Sequence, residues 1–199
     1  MTRTPAAACA AYKHWVFDLD GTLTVAVHDF AAIRRALEIP DGADILEHLT
    51  SLPSHLAQPL HDRLQQIELE LAIATRAAVG AYQLLEQLHG NGSRLGILTR
   101  NTRENAIRTL ELIGLDHFFA PDQILGRDEA PPKPDPDGIF HLAERWGTKP
   151  EATVMVGDYQ YDLQAGRSAG ALTVHVDATR CFRWPELADV SIASLKELI

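Results

Sequence analysis

The 199-residue sequence predicts an α/β protein, a doubly wound parallel sheet of Rossmann-like kind with a small helical insertion. Three observations carry this. Short apolar runs recur without polar alternation, as strands covered on both faces show. Segments of helical periodicity and crossover length separate them. A single interval of about sixty residues after the first run breaks the rhythm with helical patterns only.

In order, the strands are read at His14–Leu19, Arg94–Thr99, Gln123–Gly126, Thr153–Gly157, Leu172–Val176 and Val190–Ala193, the third and last being weaker signals. The helices between them fall at Val79–His89, Thr102–Ile113, Gly138–Trp146 and Tyr161–Ala169. The interrupting interval holds helical patterns at Phe30–Leu37, Ala43–Leu49 and Ser54–Ala78, punctuated by Pro40-Asp41-Gly42 and Leu52-Pro53-Ser54. A crossover does not need three helices, so residues 24–78 are expected to form a separate insertion. Residues 1–23 and 79–199 then make up the main domain.

Composition bounds the function. Apolar residues make up 46% and charged residues 23%, values of an ordinary globular chain, which excludes wholesale disorder and fibrous classes. Eighteen basic against 27 acidic residues leave a net charge of −9. That field repels polyphosphate backbones and anionic lipid surfaces, so neither nucleic acid nor a membrane is an expected partner. Cys9 and Cys181 are too few for a disulfide framework, and a reducing, cytoplasmic setting is expected. The alanine-rich run Ala6–Ala11 is too short and too weakly apolar for a signal segment.

Ligand sites in open α/β sheets form at the carboxyl ends of strands, and here the strand ends carry the reactive side chains. The first delivers Asp18-Leu19-Asp20-Gly21-Thr22. Residues two apart on a strand face one side, so Asp18 and Asp20 are expected to converge where Gly21 lets the chain turn. Paired carboxylates repel each other unless a cation or a shared proton relieves them. The second strand ends in Thr99-Arg100-Asn101 before a helix, a setting for an anion or for an N-cap at Thr99 or Asn101. Lys133 is held between Pro132 and Pro134, either as a surface lysine in a rigid loop or as one aimed inward. The fourth site is Gly157-Asp158-Tyr159-Gln160-Tyr161-Asp162, where one helical turn returns Asp162 toward Asp158. Four carboxylates at two strand ends offer hard oxygen ligands that suit Mg²⁺.

Taken together and in this order, the four motifs resemble those of the haloacid dehalogenase-like superfamily of phosphohydrolases. They read D-x-D-G-T at Asp18–Thr22, a strand ending in Thr99, Lys133-Pro134-Asp135-Pro136, and G-D-x-x-x-D at Gly157–Asp162. The insertion is similar to the helical cap of the phosphoglycolate phosphatase and β-phosphoglucomutase group. The resemblance implies that Asp18 is the nucleophile and Asp20 the general acid and then base. It implies Mg²⁺ held by Asp18, Asp20 (through its backbone carbonyl) and Asp158, with Asp162 either at a metal-bound water or orienting Lys133. Phosphate and substrate contacts are expected from Thr99, Lys133, Gly21 and Arg100, though Arg100 could equally pair with a nearby acid. Arg34, Arg35 and Arg76 are candidates for reaching across the cleft. Relatives that remove halide lack an acid at the position of Asp20, which favours phosphatase chemistry.

The expected function is Mg²⁺-dependent hydrolysis of a small phosphorylated metabolite by a monomer or weak homodimer. A phosphomutase and a non-catalytic binding protein on the same fold are the alternatives.

Overall fold

The structure is a computed structural model describing residues 4–199. Six parallel strands form one sheet: β1 (His14–Phe17), β2 (Arg94–Leu98), β3 (Ile124–Leu125), β4 (Thr153–Gly157), β5 (Leu172–Val176) and β6 (Val190–Ile192). Their spatial order is β3-β2-β1-β4-β5-β6. The chain therefore winds outward from β1 to β3 on one side and from β4 to β6 on the other. That reversal places a crevice between β1 and β4 at their carboxyl ends. In register, His14 lies opposite both Arg94 and Thr153.

Period-two alternation divides β1 between two cores. Trp15 and Phe17 join Ile97, Val154 and Val174 beneath α5 (Ala81–Gly90) and α6 (Arg103–Ile113). Val16 points the other way, with Leu98 and Met155, against α7 (Asp137–Trp146) and α8 (Gln160–Ala169). Phe17, Val16 and Ile97 are fully buried, each worth about 1.5–3 kcal/mol of transfer free energy. The alanine-rich start is a short helix, α1 (Pro5–Cys9), capped by the Thr4 side chain and burying Cys9. Both cysteines are free. Among the described residues no helix is long and apolar enough to cross a membrane.

Three helices follow β1: α2 (Phe30–Ala36), α3 (Ile45–Ser51) and α4 (Ser54–Ala74). Asp29 and Asp44 cap the first two by accepting from Ala32 and Glu47 N–H. Ile33, Leu37, Ile39, Leu49 and Leu64 form a third buried cluster, separate from those on the sheet. The stretch read as helical to Ala78 leaves the helix at Thr75. There the backbone becomes extended so that Ala77 can bridge Thr24 in antiparallel fashion. Val25 N donates to Arg76 O (2.9 Å) and Ala78 N to Leu23 O (2.8 Å), so these extended segments satisfy one another.

Candidate active site

The first strand stops at Phe17, two residues before the sequence suggests, although Asp18 N still donates to Val156 O across the β1–β4 junction (2.9 Å). Residues Leu19–Leu23 then wrap into an irregular turn in which Gly21 takes φ +95°. Asp18 and Asp20 reach the same cavity through this turn, not through strand alternation. Gly21 does two things that a side chain would prevent. Its φ is in the left-handed region, and a Cβ there would lie 2.4 Å from Asp158 Oδ2. Its N–H is donated to Thr24 Oγ1 (3.2 Å).

Lys133 is 2% exposed and carries the centre of the site. Its Nζ lies 2.6 Å from Asp18 Oδ1 and 2.7 Å from Asp162 Oδ1, and it also donates to Leu98 O. Burial alone would lower its pKa, but the Asp162 and Asp18 charges outweigh burial and raise it, so the ammonium persists. Asp162 sits in the first turn of α8, and its second oxygen accepts from Tyr159 N–H (3.0 Å). Both its oxygens are thus engaged, and its first task in this arrangement is to orient Lys133. Gly157 makes room for it, since a Cβ at that position would fall 2.1 Å from the Asp162 Cβ.

Asp18, Asp158 and Asp162 each offer a carboxylate oxygen, all within 4.8 Å of one another. One lysine offsets three acids here. Burial first, then the Asp162 charge, raises Asp158 to about 7, and Asp18 is pushed well up by burial and its acidic neighbours against the opposing pull of Lys133. Thr22 donates to Asp158 Oδ1 (3.2 Å) and fixes its rotamer. Uncompensated negative charge on oxygen donors suits a hard divalent cation, so the residues present fit Mg²⁺. The Asp20 carboxylate lies outside this group, and Asp20 Oδ2 faces Asn101 Nδ2 at 3.5 Å. The turn carries the Asp20 carboxylate away from the other three, which leaves its backbone carbonyl as the group that the resemblance assigns to the metal.

Thr99 is buried at the cavity floor, where its hydroxyl accepts from Asn101 N–H (3.1 Å) and keeps its own proton to donate. Neither Thr99 nor Asn101 caps α6; Thr102 does. Arg100 pairs with Asp44 (2.7 Å) and lies 4.6 Å over the Tyr161 ring. Its guanidinium thus ties the insertion to the sheet, the acid pairing that the sequence left open beside a substrate contact, and it still lines the cavity. Of the three candidate arginines, Arg34 lines the cavity, whereas Arg35 and Arg76 are exposed elsewhere.

Two features escaped the sequence reading. Asn101 steadies Asp20. Glu68 on α4 receives both Arg127 Nη atoms (2.7 and 3.2 Å), while Arg127 Nη1 also reaches Arg100 O and Arg127 N donates to Asn101 O. A signal existed for the second: Glu68 is an acid four residues from both Leu64 and Ala72, on the stripe that α4 buries.

These groups enclose a cavity of about 360 Å³ between the sheet end and the insertion. A buried lysine strung between carboxylates, at the switch point of a parallel sheet and under a helical insertion, defines a hydrolase core of the haloacid dehalogenase type. The chain belongs to the haloacid dehalogenase-like hydrolase family, whose model matches residues 12–170. It is 34% identical over 197 residues to an uncharacterised hydrolase of Saccharomyces cerevisiae, covering 94% of this chain and 89% of that protein. Over 98 residues it is 39% identical to a pyrophosphatase of Halalkalibacterium halodurans, covering 49% of this chain and 45% of that one. In fold it is similar to the crystal structure of a predicted phosphoglycolate phosphatase from Haemophilus somnus. That match has a TM-score of 0.75 at 22% identity and covers 94% of this chain and 96% of the other.

Proposed function

We propose that this chain is a Mg²⁺-dependent phosphatase that hydrolyses a small phosphomonoester through an aspartyl phosphate on Asp18. The observation that carries the reading is Lys133 Nζ, held 2.6 Å from Asp18 and 2.7 Å from Asp162 beside the Asp158 carboxylate. Such a lysine restrains the repulsion that Asp18 would otherwise present to an incoming phosphate, and its positive charge remains near the transferring oxygens. Asp18 attacks phosphorus and the leaving oxygen departs with a proton from Asp20. Water then attacks the acyl phosphate with Asp20 as base, returning Asp18 as carboxylate. Thr99 donates its hydroxyl proton to a phosphoryl oxygen. Asn101 keeps the Asp20 carboxylate near the leaving group and out of the metal cluster. Bound Mg²⁺, held by Asp18, Asp158 and the Asp20 carbonyl, supplies charge stabilisation for the transferring group.

The test is hydrolysis of p-nitrophenyl phosphate by the purified protein with Mg²⁺. Activity abolished by EDTA and by Asp18→Asn supports the reading. Failure of a broad phosphomonoester panel, with the fold intact by circular dichroism, ends it. Inorganic pyrophosphate belongs in the panel because of the half-length match to a pyrophosphatase. Turnover of that compound alone would move the substrate class from phosphomonoesters to phosphoanhydrides.

A further inference from the structure

The cavity is larger than a phosphate needs, and rings wall part of the room left over. Tyr159 follows Asp158 directly in the chain, lines the cavity and is 45% exposed. Phe30, the first residue of α2, lines it from the insertion and is 53% exposed, with His28 stacked on it at 5.7 Å. Aromatic side chains carry a large apolar area. Two of them half open to water in one concave site mark a place where an apolar body binds.

Tyr159 is the fixed member of the pair. Its N–H is donated to Asp162 Oδ2 (3.0 Å), which pins its backbone at the start of α8. Its ring stands nearly perpendicular to Tyr161 (5.1 Å between centroids, 85°) and to Trp184 (5.2 Å, 77°), the edge-to-face arrangement that favourable aromatic pairs adopt. Both braces are themselves held: Tyr161 lies under the Arg100 guanidinium at 4.6 Å, and Trp184 packs on the buried His175 at 5.3 Å. A ring braced in this way has little freedom left to lose when a ligand covers its open part, so the contact keeps its full value in binding. Because Tyr159 adjoins Asp158 in the chain, that contact falls next to the phosphate end of the cavity.

We propose that Tyr159, braced by Tyr161 and Trp184, is a specificity-determining residue that packs against the leaving group, so that the preferred substrates are phosphomonoesters whose leaving group carries a planar aromatic ring. This rests on the phosphatase reading above and names the substrate class for that same site.

Binding of benzylphosphonate and cyclohexylmethylphosphonate, which have no P–O–C bond to hydrolyse, tests it by calorimetry with Mg²⁺ present and each Kd referred to the dianion. The aromatic probe is expected to bind wild type about 2- to 12-fold more tightly, the gain of an aromatic pair beyond the area it buries. Tyr159→Leu should bring the two probes together and Tyr159→Phe should keep the difference; unchanged melting temperatures show that both variants fold. The same ratio is expected in kcat/KM for 2-phenylethyl phosphate over 2-cyclohexylethyl phosphate, whose alcohols leave with similar ease. Equal binding of the two probes to wild type overturns the role of Tyr159 while leaving the phosphatase reading standing. So does a preference that survives in Tyr159→Leu, one that Tyr159→Phe also loses, or a loss in Tyr159→Leu that falls on both probes alike. If wild type binds neither probe and hydrolyses no phosphomonoester, both readings fall.

Discussion

The Glu68–Arg127 pair lets the junction between insertion and sheet be measured. Each side chain is only 10% exposed and the contact is bidentate, so neither charge has water to fall back on when its partner is removed. Breaking a buried pair from one side costs about 3–5 kcal/mol, and residual exposure favours the lower end of that range. Glu68→Gln and Arg127→Met are each expected to cost about 3 kcal/mol. The double variant Glu68→Gln with Arg127→Met should cost well under their sum, because it leaves no orphaned charge; the expected coupling is about 2 kcal/mol. Urea unfolding followed by circular dichroism reads these values, and hydrogen exchange of the α4 amides shows whether the loss is local to the insertion. The deficit also has a pH sign. Burial raises the Glu68 pKa in the fold, against the opposing pull of Arg127. A carboxyl raised on folding binds more protons in the native state, so its contribution falls as pH rises from the unfolded toward the folded pKa. Removing Arg127 raises it further, and the Arg127→Met deficit should therefore be larger at pH 8 than at pH 5. Additive single-variant losses, or a deficit that grows on acidification, would refute the claim that this contact is a desolvated charge pair.

Three further outcomes are expected. Gly157→Ala sets a Cβ 2.1 Å from that of Asp162, so the α8 terminus must shift; stability should fall by about 1–3 kcal/mol in urea melts, with phosphatase activity reduced at least tenfold. Asn101→Ala frees the Asp20 carboxylate, and kcat on phenyl phosphate should fall about tenfold with KM little changed in steady-state assays. Burial of Asp44 is outweighed by the Arg100 hydrogen bond and the Glu47 N–H, so its pKa is lowered. Its contribution is then present above the ordinary carboxylate range and disappears as pH falls through the lowered value; a pH series of thermal melts should show that loss in wild type and not in Asp44→Asn.

Much of the sheet is readable from local pattern, because a strand covered on both faces must be apolar along its whole length. Runs such as Thr153–Gly157 and Leu172–Val176 coincide with strands for that reason. The ends are less readable. Phe17 ends β1 because Gly21 and the crowding of Asp158 demand a turn, and Ala74 ends α4 because Ala77 must reach Thr24, partners 137 and 53 residues away along the chain. The same division runs through the site. The identity and order of Asp18, Thr99 and Asp158 are visible as residue types at strand ends, and Lys133 as the lysine of a proline-rich loop. Gly21 and Arg100 carry no such information about their partners, and the fold assigns them to Thr24 and Asp44.

What sequence alone determined is the set of covalently local facts: which segments are apolar enough to be strands, which helices lie between them, and which reactive groups end each strand. Only the tertiary structure decided which charges neutralise one another. Lys133 between two aspartates and Glu68 locked to Arg127 depend on distances of a few ångströms between segments remote in the chain. Electrostatic energy falls with separation in space and takes no account of separation along the backbone.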